Sequence, residues 1–230
     1  GLAYSSDGPT HHAVDDLAAL CTFPFLNIFN PATGDAGVKA VNDALSSNAP
    51  CYIRLDKEQV PNIKYSSSSS GVSSLLEGDE HLIITTGTIF HDVIKVQSQL
   101  NEAGYSVSIV NIDRIKPLNQ EYLIQTISQH SSISIVEEQV YQSGLNSLIP
   151  ALLIDHQLSV PCKRIGIEDS MIFKYGDRQW TKNYAQLGIT QIYNQLKQFI
   201  SEVSNLMCTG KTIFKVTIED IEQCYDIKQD

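Results

Sequence analysis

A short polar stretch near the start of the chain holds the residues with the most evident chemistry. The carboxylate of Asp7 is followed closely by Thr10, His11 and His12. Thr10 occupies the position expected of a helix N-cap, and the two histidines follow at the start of a helix that we predict at 12–21. Unpaired N–H groups at a helix start, two imidazoles and a carboxylate would form a compact polar site for an oxygen-rich ligand.

Arg54 is the second candidate, because it lies in an otherwise apolar stretch that reads as a short buried strand. A buried arginine needs a partner, so one interpretation of Arg54 is a structural ion pair with Asp56 or Asp16.

The sequence predicts no metal site. Neighbouring helix residues point about 100° apart, so His11 and His12 would rarely bind one ion together. The five cysteines are widely spaced and form no Cys-x-x-Cys pair, which argues against a zinc site or a disulfide framework. We expect His91 to be exposed or to cap a helix, and His81, His130 and His156 to lie on the surface.

Alternating strand and helix patterns predict an α/β fold with parallel strands and right-handed crossovers. Residues 1–65 read as helix, strand, helix, strand, and the serine-rich stretch 66–75 as a linker. Residues 76–205 alternate regularly, and 206–230 form an accessory tail. The predicted helices are 12–21, 35–46, 88–103, 120–129, 145–156 and 190–203, and the predicted strands are 25–29, 51–55, 81–86, 107–112, 133–136 and 163–167. In the second helix, Val38, Val41 and Leu45 share one stripe.

Composition excludes several classes of protein. A chain of 230 residues holds one or two domains. Its net charge of −10 and its lack of a basic stretch argue against a nucleic-acid partner. No apolar run approaches the roughly 20 residues that span a bilayer, and no signal peptide is visible. A cytoplasmic location is the expectation.

The sequence resembles the transketolase-like enzymes, which depend on thiamine diphosphate, over residues 1–204. The strings that carry the resemblance lie in the same order as in the family, at 7–12, 23–32, 50–55, 84–88, 111–118 and 135–138. The resemblance implies the C-terminal part of a pyrimidine-binding α/β domain at 1–65. It further implies a three-layer α/β/α transketolase C-terminal domain with a mainly parallel sheet at 76–205.

The resemblance also implies roles for four residues. The histidine of the Gly-Pro-Thr-His string faces the substrate channel in such enzymes, which makes His11 the catalytic candidate. The aspartate of the Asp-Gly-Pro string discriminates substrate hydroxyls, which makes Asp7 a candidate for substrate binding. Arg54 would help to hold a substrate phosphate. His12 has no firm counterpart role, and its place in the same loop makes it a possible substrate contact.

The cofactors implied are thiamine diphosphate and Mg²⁺, with ligands mostly outside this chain. The family's magnesium motif is Gly-Asp-Gly…Asn, and the stretch from Ser6-Asp7-Gly8 to Asn27 imitates it without the first glycine. The glutamate that activates the cofactor is expected upstream of Gly1. We therefore expect this chain to be inactive without an N-terminal diphosphate-binding portion or subunit, within a homodimer or hetero-oligomer.

The reaction implied is transfer of a two-carbon ketol unit from a sugar or sugar phosphate to an aldehyde. Two alternatives stay open: a β-type subunit of a 2-oxoacid dehydrogenase, and a non-catalytic regulatory or interaction subunit. One departure from the family lies at 137–139, where Glu-Glu-Gln replaces the frequent Glu-Glu-His, so that glutamine stands in place of a titratable histidine.

Overall fold

The computed structural model describes residues 1–61, 63, 66–67, 71–75, 77–142 and 144–209. The predicted tail therefore lies outside the described residues from position 210 onwards. Among the helices that the structure describes, none combines the length and the apolar character needed to cross a membrane.

Nine strands and seven helices make up the described part of the chain. The strands are β1 (Asn27–Phe29), β2 (Cys51–Ile53), β3 (Ser66–Ser67), β4 (Val72–Leu75), β5 (His81–Thr85), β6 (Val107–Ile112), β7 (Arg114–Lys116), β8 (Ser132–Val140) and β9 (Cys162–Ile167). The helices are α1 (Asp16–Cys21), α2 (Gly34–Leu45), α3 (Phe90–Glu102), α4 (Gln120–Ile127), α5 (Gly144–Asp155), α6 (Arg178–Tyr184) and α7 (Ile189–Thr209).

The larger sheet has six strands in the order β3-β4-β6-β5-β8-β9. Within this sheet β6, β5, β8 and β9 are parallel neighbours, whereas β4 runs antiparallel to β6. Helices connect the parallel strands, as crossovers between parallel neighbours require. The prediction of an α/β fold with a mainly parallel sheet is confirmed.

Both faces of this sheet are covered, which gives three layers. Along β5, Ile83 packs on one face with α3 and α7, while Leu82 and Ile84 pack on the other with α4 and α5. All three side chains are fully buried. Alternate residues of a strand point to opposite faces, so a strand buried on both sides reads as a continuous apolar run.

A smaller sheet of order β2-β1-β7 joins the N-terminal residues to the rest of the chain. β1 pairs with β2 in parallel and with β7 in antiparallel orientation. Because β7 follows β6 directly, the small sheet is held against the large one. The buried side chain of Ile28 continues the core that lies under α4 and α5.

Several expectations differ from the structure. The helix predicted at 12–21 begins at Asp16, because Gly8 (φ +78°) and Pro9 turn the preceding chain into short 3₁₀ turns. Thr10 is therefore not its N-cap. The stretch 66–75, predicted as a linker, contributes β3 and β4 to the large sheet, and the last helix extends to Thr209, into the predicted tail.

Two histidines expected near the surface are buried. His81 is fully buried, its Nδ1 lies 2.8 Å from Ser132 Oγ, and burial lowers its pKa to about 3. His91 is 8% exposed, and its Nε2 lies 2.8 Å from the carbonyl oxygen of Ala32. Each ring thus finds a polar partner, as a buried imidazole requires.

Pro150 lies inside α5, which continues on both sides of it. A proline lacks the N–H that would bond the carbonyl four residues earlier, here that of Asn146. Arg164 Nη1 donates to the Asn146 carbonyl oxygen at 3.3 Å. A side chain from β9 therefore satisfies the acceptor that the proline leaves free.

Candidate active site

A polar cavity of about 480 Å³ lies where the carboxyl ends of strands from both sheets meet. Ligands of parallel α/β sheets bind at this edge as a rule, because the loops that follow the strands converge there. The residues that line the cavity and carry polar side chains include His11, Asn30, Arg54, Asp56, Thr86 and Glu138.

Arg54 follows β2, and its side chain is 13% exposed. Its Nε donates to Asp16 Oδ2 at 3.0 Å, and its Nη2 donates to the Ala13 carbonyl oxygen at 2.7 Å. Its Nη1 makes a long contact of 3.5 Å with Asn30 Oδ1. The ion pair with Asp16 is therefore present. Since Nη1 is weakly engaged, it is the nitrogen best able to bond a ligand.

Asp16 is itself held by two further donors. Tyr52 Oη donates to Oδ2 at 2.9 Å, and Gln139 Nε2 donates to Oδ1 at 2.7 Å. Burial raises the pKa of Asp16, and these two hydrogen bonds oppose that rise. The carboxylate fixes the orientation of the Arg54 guanidinium, because both of its oxygens are bonded.

His11 lines the same cavity as Arg54. It lies at the end of a 3₁₀ turn, Pro9–His11, and its side chain is exposed. Its Nδ1 is 3.0 Å from Thr10 Oγ1, and its ring centre is 6.3 Å from that of Tyr4. An accessible imidazole with one nitrogen engaged is suited to proton transfer through the other.

The structure places the other two candidates elsewhere. His12 lines a separate cavity of about 300 Å³, together with Asp15 and Asp169. Asp7 is exposed, accepts a hydrogen bond from Ser6 Oγ at 3.2 Å, and lines neither cavity. The structure thus brings His11 and Arg54 together, and leaves Asp7 and His12 outside their cavity.

Arg178 supports one wall of this cavity, and the sequence patterns did not single it out as a functional residue. It donates to both oxygens of Asp56, at 2.6 and 2.7 Å, and to Glu138 at 3.1 and 3.2 Å. Burial raises the pKa of Asp56, but the Arg178 guanidinium outweighs this and lowers it to about 2. Asp56 and Arg178 lie 122 positions apart, so no local pattern could have indicated the pair.

Glu138 is 5% exposed and lies among three cations. Burial raises its pKa, but Arg178, Lys182 and Arg54 together hold the pKa below its ordinary value. Lys182 in turn bonds Asp92 at 2.8 Å. The wall of the cavity is therefore an ionic network with its charges paired, rather than a set of free anions.

Glu137, the neighbour of Glu138, points to the opposite side and caps α5. Its two oxygens accept from the backbone N–H groups of Leu145 at 3.0 Å and Asn146 at 2.7 Å. Gly144 adopts φ +51°, and a side chain there would collide with the Glu137 carboxylate. Full burial raises the pKa of Glu137 to about 7, although the N–H donors oppose the rise.

We expect Glu137→Gln to remove a pH dependence of stability. Between pH 4.5 and about 7 the Glu137 carboxyl is protonated in the native state but ionised in the unfolded state. The free energy of unfolding therefore falls as pH rises through this window. At 1.36 kcal/mol per pKa unit, the full effect is about 3 kcal/mol. Urea unfolding at pH 5 and pH 8 should show wild type losing about 2–3 kcal/mol relative to the variant. The exposed Glu121→Gln serves as control, and an equal pH response in wild type and Glu137→Gln would contradict the assignment.

The donors of the cavity suit a substrate better than a metal ion. Among the residues that the structure describes, no group of three or more His, Cys, Asp or Glu side chains is placed to hold a metal ion. The donors that line the cavity include the imidazole of His11, the guanidinium of Arg54 and the ammonium of Lys57, which fit hydroxyl or anionic groups of a substrate. They form no cradle for a metal-bound diphosphate.

Comparison with known sequences decides the family. The family model described as transketolase, C-terminal domain, matches residues 72–186, and the transketolase pyrimidine binding domain matches residues 1–62. The chain belongs to the transketolase family. The resemblance seen in the sequence is thereby confirmed, and membership of the transketolase family implies use of thiamine diphosphate.

Two curated relatives illustrate the match. One subunit of the apulose-4-phosphate transketolase of Actinobacillus succinogenes is 28% identical over 182 residues, covering 78% of this chain and 58% of the relative. The 1-deoxy-D-xylulose-5-phosphate synthase of Chlamydia muridarum is 30% identical over 197 residues, covering 84% of this chain and 31% of the relative. The match thus spans somewhat over half of the transketolase subunit and under a third of the synthase.

Solved transketolase structures share the fold. A split-gene transketolase, described as an inactive beta4 tetramer, has a TM-score of 0.76 at 23% identity, over 84% of this chain and 64% of that one. The transketolase from Campylobacter jejuni has a TM-score of 0.67 at 18% identity, over 86% and 30%. At these identities the likeness establishes the transketolase fold.

Proposed function

We propose that this chain is the C-terminal part, or a subunit, of a thiamine-diphosphate-dependent transferase of transketolase type. The reaction is movement of a two-carbon ketol unit from a ketose to an aldehyde. The observation that carries the proposal is the shared cavity of His11 and Arg54 at the carboxyl ends of the strands. Family membership supplies the reaction type.

His11 is the proposed catalytic residue. Its imidazole hydrogen-bonds the donor's hydroxyls and moves a proton as the carbon–carbon bond breaks or forms, a task suited to a ring whose nitrogens can either donate or accept a proton. Arg54 is the proposed anchor for the sugar or its phosphate, through Nη1. The predictions that Asp7 and His12 contact substrate stay predictions, since neither residue lines this cavity.

Thiamine diphosphate, when bound, would supply an electron sink for this chemistry. We propose that its diphosphate and a Mg²⁺ ion bind to the part of the family's fold that this chain does not span, on a longer polypeptide or on a partner subunit. Two similar proteins support the second arrangement, because one is a subunit of a transketolase and the other is a split-gene transketolase. A partner subunit would make the assembly a hetero-oligomer, and a longer polypeptide is compatible with a homodimer.

A synthase of the 1-deoxy-D-xylulose-5-phosphate type is the second candidate, because such an enzyme matches 84% of this chain. The two candidates differ in the donor that they accept. The test is an assay with the chain, a diphosphate-binding polypeptide, thiamine diphosphate, Mg²⁺ and an aldehyde acceptor. Ketoses, ketose phosphates and a 2-oxo acid are offered in turn as donors.

Transfer from a ketose, absent when either polypeptide is left out, is the result we expect. Transfer from the 2-oxo acid alone would contradict transfer from a ketose, and would favour the synthase or the β-type subunit of a 2-oxoacid dehydrogenase. A stable complex that transfers from none of these donors would favour a regulatory role and contradict the proposal.

A further inference from the structure

Gln139 connects the two family-matched parts of the chain at the edge of the cavity. It lies near the end of β8, within the C-terminal domain match, and is 1% exposed. Its Nε2 donates to Asp16 Oδ1 at 2.7 Å and to the Ala13 carbonyl oxygen at 3.1 Å. The adjoining backbone also contacts this segment, since Val140 N donates to Val14 O at 2.9 Å.

Gln139 and Arg54 bond the same two groups. Arg54 reaches Asp16 through Nε and the Ala13 carbonyl through Nη2, and Gln139 reaches both through Nε2. On Asp16 the two residues use different oxygens, so they hold the carboxylate from opposite sides. The position of Asp16 therefore depends on a donor from β8, and the direction of the guanidinium depends on Asp16.

We infer that Gln139 is a positioning residue that fixes Arg54 for the substrate. With Nε and Nη2 held by Asp16 and Ala13, the guanidinium is kept in one orientation at the cavity that it lines, and Nη1 keeps only its 3.5 Å contact with Asn30. Pre-orientation of this kind lowers the entropic cost of binding, because the long side chain is already ordered. The inference rests on the proposed function in so far as Arg54 contacts substrate.

The chemistry of an amide suits this position. Glutamine is uncharged and offers its two N–H donors at Nε2 to the two acceptors, Asp16 Oδ1 and the Ala13 carbonyl. Glutamate would place a second carboxylate against Asp16, and methionine would fill the space without a donor. Both changes would remove the hydrogen bond from β8 to Asp16 and leave its ion pair with Arg54 in place.

The experiment compares wild type with Gln139→Met and Gln139→Glu, with Gln125→Glu on the exposed face of α4 as the matched control. The first readout is the Arg54 Nε–H resonance in the NMR spectrum of the 230-residue chain, and its rate of exchange with water. We expect a shifted, faster-exchanging signal in both Gln139 variants and no change in the control. This readout needs no substrate and no partner.

The second readout is steady-state kinetics of the complete assembly with the donor that it uses. We expect the KM for that donor to rise about 10- to 100-fold, the scale of a lost hydrogen bond to a charged group, with kcat changed less than about threefold. A general loss of folding would instead lower the apparent kcat through the amount of active protein and leave KM unchanged. Gln139→His, which keeps an N–H donor, should restore most of the affinity.

Each outcome decides the inference. An unchanged Arg54 Nε–H signal in Gln139→Met overturns it, and this variant, which adds no charge, serves if Gln139→Glu fails to fold. A changed signal with an unchanged KM separates Arg54 from substrate binding, which overturns the inference too. If wild type binds no donor, the proposed function fails while the NMR readout still decides whether Gln139 orients Arg54.

Discussion

Arg178→Met is expected to lower the free energy of unfolding by about 3–5 kcal/mol, the usual cost of removing one partner from a buried ion pair. The change leaves Asp56 and Glu138 without the guanidinium that bonds them both. It also removes the guanidinium contacts of Glu58 and Thr88, although Thr88 keeps its hydrogen bond to Asp56. Urea unfolding at pH 7, followed by circular dichroism, measures the loss.

A surface ion pair serves as the control for this change. Lys39 bonds Asp43 at 2.7 Å on α2, with side chains 39% and 35% exposed. We expect Lys39→Met to cost less than about 0.5 kcal/mol, because water already screens the pair. Arg178→Lys should lie between the two, since it keeps the charge but not the bidentate geometry. Equal losses for Arg178→Met and Lys39→Met would show that the network contributes little to stability.

His11→Ala, in the complete assembly, is expected to lower turnover by more than about tenfold, toward the roughly 10²–10⁴ that general acid–base assistance usually contributes. The side chain is exposed, so its loss should change the unfolding free energy by less than about 0.5 kcal/mol. The measurement is kcat with the preferred donor at saturating concentration.

His156 is the control for this prediction, because it is exposed just after α5 and lines neither cavity. We expect His156→Ala to turn over like wild type. His12 is the sequence neighbour of His11 but lines a different cavity, so a loss of turnover in His12→Ala equal to that in His11→Ala would assign the effect to the loop rather than to the cavity. Wild-type turnover in His11→Ala would remove His11 from the site.

Much of the fold could be predicted because the core strands carry a simple signal. β6, Val107–Ile112, coincides with its prediction, and β5 and β9 differ from theirs by a single residue. β5 and β6 are buried along their whole length, so an apolar run is sufficient to find them, whereas only the second half of β9 is buried. β7 was missed because three residues, Arg114–Lys116, form no pattern and owe their strand geometry to pairing with β1.

Burial of single polar residues could not be predicted in the same way. His81 begins a buried strand and lies edge-on to Phe199 at 6.0 Å, a contact set by the packing of α7. The apolar stripe predicted on α2 is the opposite case, in which residues expected to be buried are exposed. Val38 and Leu45 are 64% and 80% exposed, and nothing in the described part of the chain covers them. Periodicity identifies an apolar face, but not what packs against it.

The candidate site was predicted in part. Arg54 and its possible partner Asp16 could be named because a charged residue in an apolar strand demands a counter-ion. The contributions of Arg178 and Gln139 could not, because each acts on residues more than 100 positions away. Such pairs arise only when the loops after separate strands converge on one edge of the sheet.

The measurement that tests the proposed function most directly is calorimetric titration of thiamine diphosphate with Mg²⁺. It is made first on this chain alone and then on the chain combined with a diphosphate-binding polypeptide. We expect no binding heat from the chain alone, and saturable binding once the two are combined. Tight binding by the chain alone, or none by any stable combination, would contradict the claim that this chain completes a thiamine-dependent transferase.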